Sequence, residues 1–207
     1  MQLELPKATV LYYKNFVSDD LKTKIYNEVS EMFKLESHKR VILPNGDANT
    51  INYKLNRKTI VFVDKDIDKT VIPKIWGDEV KIIEFPYYLI ELKASIEQQS
   101  KFKFNICLAN YYSSGKRTIG FHSDNEEKGS TSCIASISIG SERKFQFRNK
   151  GEHNHCLEVL LEDASLLIMG DGCQENYEHS VPTDKNCKES RLNLTMRLFS
   201  TERYKDH

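Results

Sequence analysis

His122-Ser123-Asp124 places an imidazole and a carboxylate two residues apart. On extended backbone such residues point the same way, so the pair can converge on one metal ion. A third donor must come from elsewhere, and His179 stands in Tyr177-Glu178-His179-Ser180-Val181-Pro182, beyond a Gly170-Asp171-Gly172 turn. Two imidazoles and one carboxylate on one face of iron leave three coordination positions open, the arrangement an Fe(II) oxygenase needs for cosubstrate and O2. The same donors can hold Zn2+, as in a hydrolase. A short H-x-D triplet also occurs in ordinary solvated loops, so the triplet alone leaves these readings open.

The end of the chain narrows them. Arg191, Asn193, Thr195 and Arg197 alternate with Leu192, Leu194, Met196 and Leu198. A strand with this pattern has one apolar face and one face bearing two guanidiniums, an amide and a hydroxyl. No acidic residue on that face pairs with the arginines, and arginine is the side chain suited to binding a carboxylate in two-point fashion. A diacid such as 2-oxoglutarate fits that face. A zinc hydrolase has no evident use for the two arginines. A binding module whose metal is structural or absent also leaves them unexplained. Asn110 and Tyr112 share one face of an earlier strand and can donate hydrogen bonds into the same pocket.

The elements that must position these residues are legible from periodicity. Ser18 is a plausible N-cap, Asp19 and Asp20 suit a helix's first turn, and Leu21, Ile25, Val29 and Met32 recur at helical spacing to about Phe33. A second helix is expected from about Tyr87 to Gln99, with Leu89, Leu92 and Ile96 on one stripe. Strands are expected at Val10–Tyr13 and from Phe102 to Tyr112, and the apolar run Thr59–Val63 falls in a stretch expected to form hairpins or an extended segment. Further strands are expected at Cys133–Gly140, Lys144–Arg148, Leu157–Leu161, Ser165–Met169 and Arg191–Phe199. Between His38 and Thr70 the pattern is less regular, with a turn at Pro44-Asn45-Gly46-Asp47. Many short strands separated by turn signals predict a mainly β fold with N-terminal helices, a jelly-roll barrel braced by helices. No internal repeat or linker divides the 207 residues, so one domain is expected, with 1–100 helical and 101–200 forming the barrel.

Composition sets the remaining bounds. Apolar residues are 39% and charged residues 29%, an ordinary balance for a protein with a real core. Thirty basic and thirty acidic residues cancel, so nucleic-acid binding has to come from local patches and depend on salt. The neutral balance favours single-stranded or easily opened substrates. The five cysteines show no zinc-knuckle spacing and read as free thiols in a reducing compartment. The first residues lack a signal-peptide pattern, and no apolar run has membrane-spanning length. A soluble intracellular monomer, cytoplasmic or nuclear, is expected.

Several motifs in order resemble the AlkB family of dioxygenases. They are Phe104-Asn105, Leu108-x-Asn110-x-Tyr112, His122-x-Asp124-x-Glu126, Ile134-Ala135-Ser136-Ile137-Ser138-Ile139-Gly140, Arg143-x-Phe145-x-Phe147-Arg148, His179-x-Val181-Pro182 and Arg191-x-Asn193-Leu194-Thr195-x-Arg197. The resemblance covers roughly the C-terminal half and is weak before it. It implies Fe(II) held by His122, Asp124 and His179. It implies 2-oxoglutarate held by Arg191 and Arg197 with help from Asn110, Tyr112 and Asn193, and O2 as the second cosubstrate. It places Glu126 near the target base and Arg143, Lys144 and Arg148 at nucleic-acid contacts. Arg57 falls in a stretch similar to the nucleotide-recognition region, and Tyr53, Phe62, Trp76 and Tyr112 are candidates to stack on bases. The activity so implied is oxidative demethylation of N-alkylated bases in DNA or RNA, single-stranded or flipped out of a duplex. The alternative is the same scaffold acting on RNA marks, proteins or small molecules.

Overall fold

A computed structural model describes residues 1–34, 58–73, 80–124 and 131–200. In chain order its elements are β1 (Gln2–Leu3), β2 (Val10–Tyr13), α1 (Asp19–Lys34), β3 (Lys58–Val63), β4 (Lys81–Glu84) and α2 (Tyr87–Ser100). There follow β5 (Ile106–Tyr112), β6 (Ile119–His122), β7 (Ile134–Gly140), β8 (Arg143–Asn149), β9 (Leu157–Leu161) and β10 (Ser165–Met169). The last are α3 (Cys173–Asn176), β11 (Tyr177–Val181) and β12 (Arg191–Arg197).

The strands form two sheets. The larger runs β1-β2-β10-β7-β12-β5-β3-β4 and the smaller β6-β11-β8-β9. Among the described residues, only β3 and β4 pair in parallel. Between the sheets lies a core that includes Val10, Ile134, Phe145, Phe147, Leu167 and Val181. This is the jelly roll that the strand pattern predicts. The division at residue 100 is different from that expected, because β1 to β4 all come from the first hundred residues and join the larger sheet. β1, β4, β6 and β11 add to the predicted strands. β5 begins at Ile106 rather than Phe102, since Lys101 takes up a left-handed conformation (φ 64°) and its N–H closes α2 on the Glu97 carbonyl.

The helices cover the outer face of the larger sheet. Ile25, Val29 and Phe33 form a fully buried stripe on α1, and Leu89, Leu92 and Ile96 form one on α2. They pack with Ala135, Ile137 and Ile139 of β7 and Leu192, Leu194 and Met196 of β12. Burying a side chain of this size contributes about 1.5–3 kcal/mol, so the apolar set of β12 is strongly held outward, against the helices. Strand alternation then turns Arg191, Asn193, Thr195 and Arg197 inward, towards the smaller sheet. Among the described residues, no helix is long and apolar enough to cross a membrane.

Candidate active site

The antiparallel pairing of β6 with β11 places His122 directly opposite His179. Their ring centroids are 4.4 Å apart. Asp124 follows two residues beyond β6, and one ligand atom from each of His122, Asp124 and His179 lies within 4.8 Å of the others. The structure therefore brings together three residues that are distant in sequence.

The orientation of each donor has a local cause. His122 Nδ1 is 2.9 Å from the Gly120 carbonyl, which makes Nδ1 the protonated nitrogen and leaves the Nε2 lone pair available. Nε2 lies 3.4 Å from Asp124 Oδ1. The other carboxylate oxygen, Oδ2, accepts a hydrogen bond from Arg197 at 2.9 Å. The His179 ring stacks on Phe145, centroids 5.2 Å apart and planes 19° apart, with Phe147 edge-on. Burial opposes the charge of Asp124, but the Arg197 guanidinium beside it outweighs burial and holds the carboxyl well below its usual range. Burial pushes the His179 imidazole down to about 4 against the pull of Asp124. An ionised carboxylate beside a neutral imidazole is the protonation state that binds a cation.

The inner face of β12 continues away from this cluster. Arg191 is 1% exposed. Its guanidinium lies over the Tyr112 ring, 5.3 Å from the centroid, and donates to Ser138 Oγ at 2.9 Å. Its Nε and second terminal nitrogen are buried without a hydrogen-bond partner. Burial, helped by the nearby Arg143 charge, lowers the pKa of Arg191 to about 10 despite Tyr112. A buried cation with open donors and no carboxylate is costly unless an anion completes it. Asn110 is buried and accepts from Thr59 Oγ1 at 3.1 Å. Asn193 directs its amide nitrogen to Ser136 Oγ and the Ile137 carbonyl, each at 2.9 Å, so it braces the pocket wall. Donor set and pocket thus fit iron and a dicarboxylate. Ser136 and Ser138 were not singled out as pocket residues. Their signal is two small hydroxyls at period two on the inner face of an otherwise apolar strand.

Four of the expected substrate contacts are found tied to protein partners or buried. Arg143 is 1% exposed. Its terminal nitrogens reach the carbonyls of Ser114, Gly115, Arg117 and Pro182, at 2.6 to 3.4 Å. It ties the loop after β5 to the end of β11 and is sealed from a phosphate. Arg148 pairs with Glu178 on the neighbouring strand at 2.6 Å and lies over the Phe121 ring, so its charge is neutralised. Phe62 is fully buried and Tyr112 2% exposed, so neither offers an open face to a base. Arg57, Tyr53, Trp76 and Glu126 lie outside the described residues. Arg143→Ala is expected to lower unfolding stability by on the order of 3 kcal/mol, because four loop carbonyls lose their donor in a buried site. Denaturant melts measure this. Nucleic-acid affinity of the folded fraction should be unchanged, and a selective loss of that affinity would restore the substrate role.

The model of the 2OG-Fe(II) oxygenase superfamily matches residues 9–197. The rat alpha-ketoglutarate-dependent dioxygenase alkB homolog 3 is 36% identical over 115 residues, 51% of this chain and 39% of that protein. The bovine DNA oxidative demethylase ALKBH2 is 41% identical over 102 residues, 45% of this chain and 37% of that protein. The match thus spans about two-fifths of the length of these relatives. The solved structure of OsALKBH1 superposes with a TM-score of 0.64, over 95% of this chain and 100% of that one, at 19% identity, a likeness of fold. The chain belongs to the 2OG-Fe(II) oxygenase superfamily. Fe(II) and 2-oxoglutarate are the cofactor and cosubstrate of that superfamily.

Proposed function

We propose that this chain is an Fe(II)- and 2-oxoglutarate-dependent dioxygenase that removes alkyl groups from base nitrogens of DNA or RNA. The observation that carries it is the clustering of His122, Asp124 and His179 together with Arg191, a buried arginine with open donors and no ion pair among the described residues. The names of the two relatives support the choice of reaction. His122 Nε2, Asp124 Oδ1 and His179 hold the iron. Arg191 binds one carboxylate of 2-oxoglutarate, its guanidinium fixed by Ser138 and Tyr112. Arg197 keeps Asp124 ionised and leaves Oδ1 for the metal. Phe145 and Phe147 wall the His179 side and exclude water.

Bound iron, with 2-oxoglutarate and O2, supplies the oxidant that hydroxylates the N-alkyl carbon, with succinate and CO2 as coproducts. The C–N bond of the hydroxylated group then breaks and its carbon leaves as an aldehyde, formaldehyde from a methyl group, while the hydroxyl proton passes to the nitrogen of a neutral base or to solvent from a cationic one. The protein's part is to position reactants in a dry pocket. A base within a duplex cannot reach a site between two sheets, so the substrate is single-stranded or flipped.

The test is formaldehyde and succinate release with Fe(II), ascorbate and 2-oxoglutarate, from DNA and RNA oligonucleotides methylated at base nitrogens. Release in equal amounts by the unaltered chain, and none by His122→Ala, is expected. Succinate without formaldehyde on every nucleic acid would reject the substrate class while keeping the oxygenase. Unchanged turnover by His122→Ala would reject the metal assignment.

A further inference from the structure

Asp124 lies beyond the last ladder pair of β6, so strand pairing does not fix its backbone. One side chain does. The Asp124 N–H donates to Gln174 Oε1 at 2.9 Å. Gln174 is 4% exposed, and its amide nitrogen lies 3.6 Å from Met169 Sδ at the end of β10. It is the second residue of α3, which runs directly into β11, where His179 follows five residues on.

The base of α3 is itself held tightly. Cys173 N–H donates to the Gly170 carbonyl at 3.2 Å, and the Asn176 amide donates to the Gly172 carbonyl at 2.8 Å. Gly172 has a φ of +76°, and a Cβ there would stand 1.9 Å from the Lys7 carbonyl oxygen. The turn is wedged against the N-terminal segment, and Gln174 is delivered from a fixed base.

We propose that Gln174 is a positioning residue for Asp124. Its buried amide oxygen fixes where the carboxylate sits relative to His179 before the ion arrives. This rests on the reading of His122, Asp124 and His179 as the iron ligands. A buried amide acceptor is costly to leave unmade, so the bond persists in the metal-free protein. Metal binding is then spared the ordering of its only anionic donor, and partners of this kind are worth about 10–100-fold in metal affinity.

The experiment is a Mn2+ titration of the metal-free full chain, followed by calorimetry and thermal shift, for the unaltered chain, Gln174→Met and Gln174→Glu. Methionine keeps the volume and removes the acceptor. A buried glutamic acid, neutral when desolvated, keeps the carbonyl acceptor. Gln174→Met is expected to bind Mn2+ about 10–100-fold more weakly, and Gln174→Glu to recover most of the loss. Hydrogen exchange of the unaltered metal-free chain gives a reading free of any folding defect: the Asp124 amide should be protected. Equal Mn2+ affinity for Gln174→Met and the unaltered chain, Gln174→Glu as weak as Gln174→Met, or an unprotected Asp124 amide would each overturn the proposal. If the unaltered chain itself ignores Mn2+, the metal site falls first. If it binds and Gln174→Met binds equally, only the role of Gln174 falls.

Discussion

Asp124→Ala is expected to abolish iron-dependent turnover, by about three orders of magnitude, and to destabilise the metal-free protein as well. The two effects have separate causes. Asp124 supplies the only negative charge among the three donors, so its loss removes most of the attraction for a divalent ion. The same carboxylate pairs with Arg197 at 2.9 Å, with Arg197 3% exposed. Removing one partner of a buried pair typically costs about 3–5 kcal/mol, because the other charge is left desolvated.

His179→Ala separates these effects. It too should remove the metal response, but it strands no charge and opens only a cavity beside Phe145 and Phe147. Its metal-free melting temperature should therefore exceed that of Asp124→Ala. The double variant Asp124→Ala/Arg197→Met should regain stability without regaining Mn2+ binding. Thermal melts with and without Mn2+ read all three. A metal-free Asp124→Ala that melts with the unaltered chain would show that the Arg197 contact carries no stability.

Arg191→Met should raise the 2-oxoglutarate requirement about 30–100-fold, the loss of a charge-assisted contact worth roughly 2–3 kcal/mol. The metal-free protein should nevertheless become no less stable, and more stable by about 1–4 kcal/mol if the methionine packs well. The reason is that Arg191 is buried over Tyr112 with open donors. An apolar chain of similar length removes the desolvation cost while filling the space. Opposite signs for cosubstrate affinity and metal-free stability are the signature of a side chain kept for its ligand. Stabilisation by N-oxalylglycine, a cosubstrate mimic, should disappear in Arg191→Met while stabilisation by Mn2+ remains. An Arg191→Met protein that melts far below the unaltered chain would mean that the guanidinium is already satisfied within the protein, and the anion pocket would be lost as an idea.

Much of this site could be read without coordinates, for a local reason. The period of two along Arg191 to Arg197 is a property of backbone geometry, so the separation of guanidiniums from leucines needs no knowledge of the fold. The ligand types at His122, Asp124 and His179 are likewise chemistry written in single residues. The same rule, applied within β8, separates its cations. Arg143 shares a face with Phe145 and Phe147, while Lys144 and Arg148 take the other. Grouping the three as one basic patch overlooked that alternation.

What the tertiary structure alone decided is which groups meet. His122 and His179 are opposite one another only because β6 and β11, distant in sequence, pair in that register. Arg148 loses its free charge to Glu178 across another pairing, and the Asp124 backbone is held by an amide fifty residues away. These are long-range contacts, set by how the two sheets close over each other and by the helices that hold the larger one outward. Periodicity assigns a side chain to a face. It does not say which face will be covered, or by what, because that is determined by the burial of the whole apolar surface and not by any one segment.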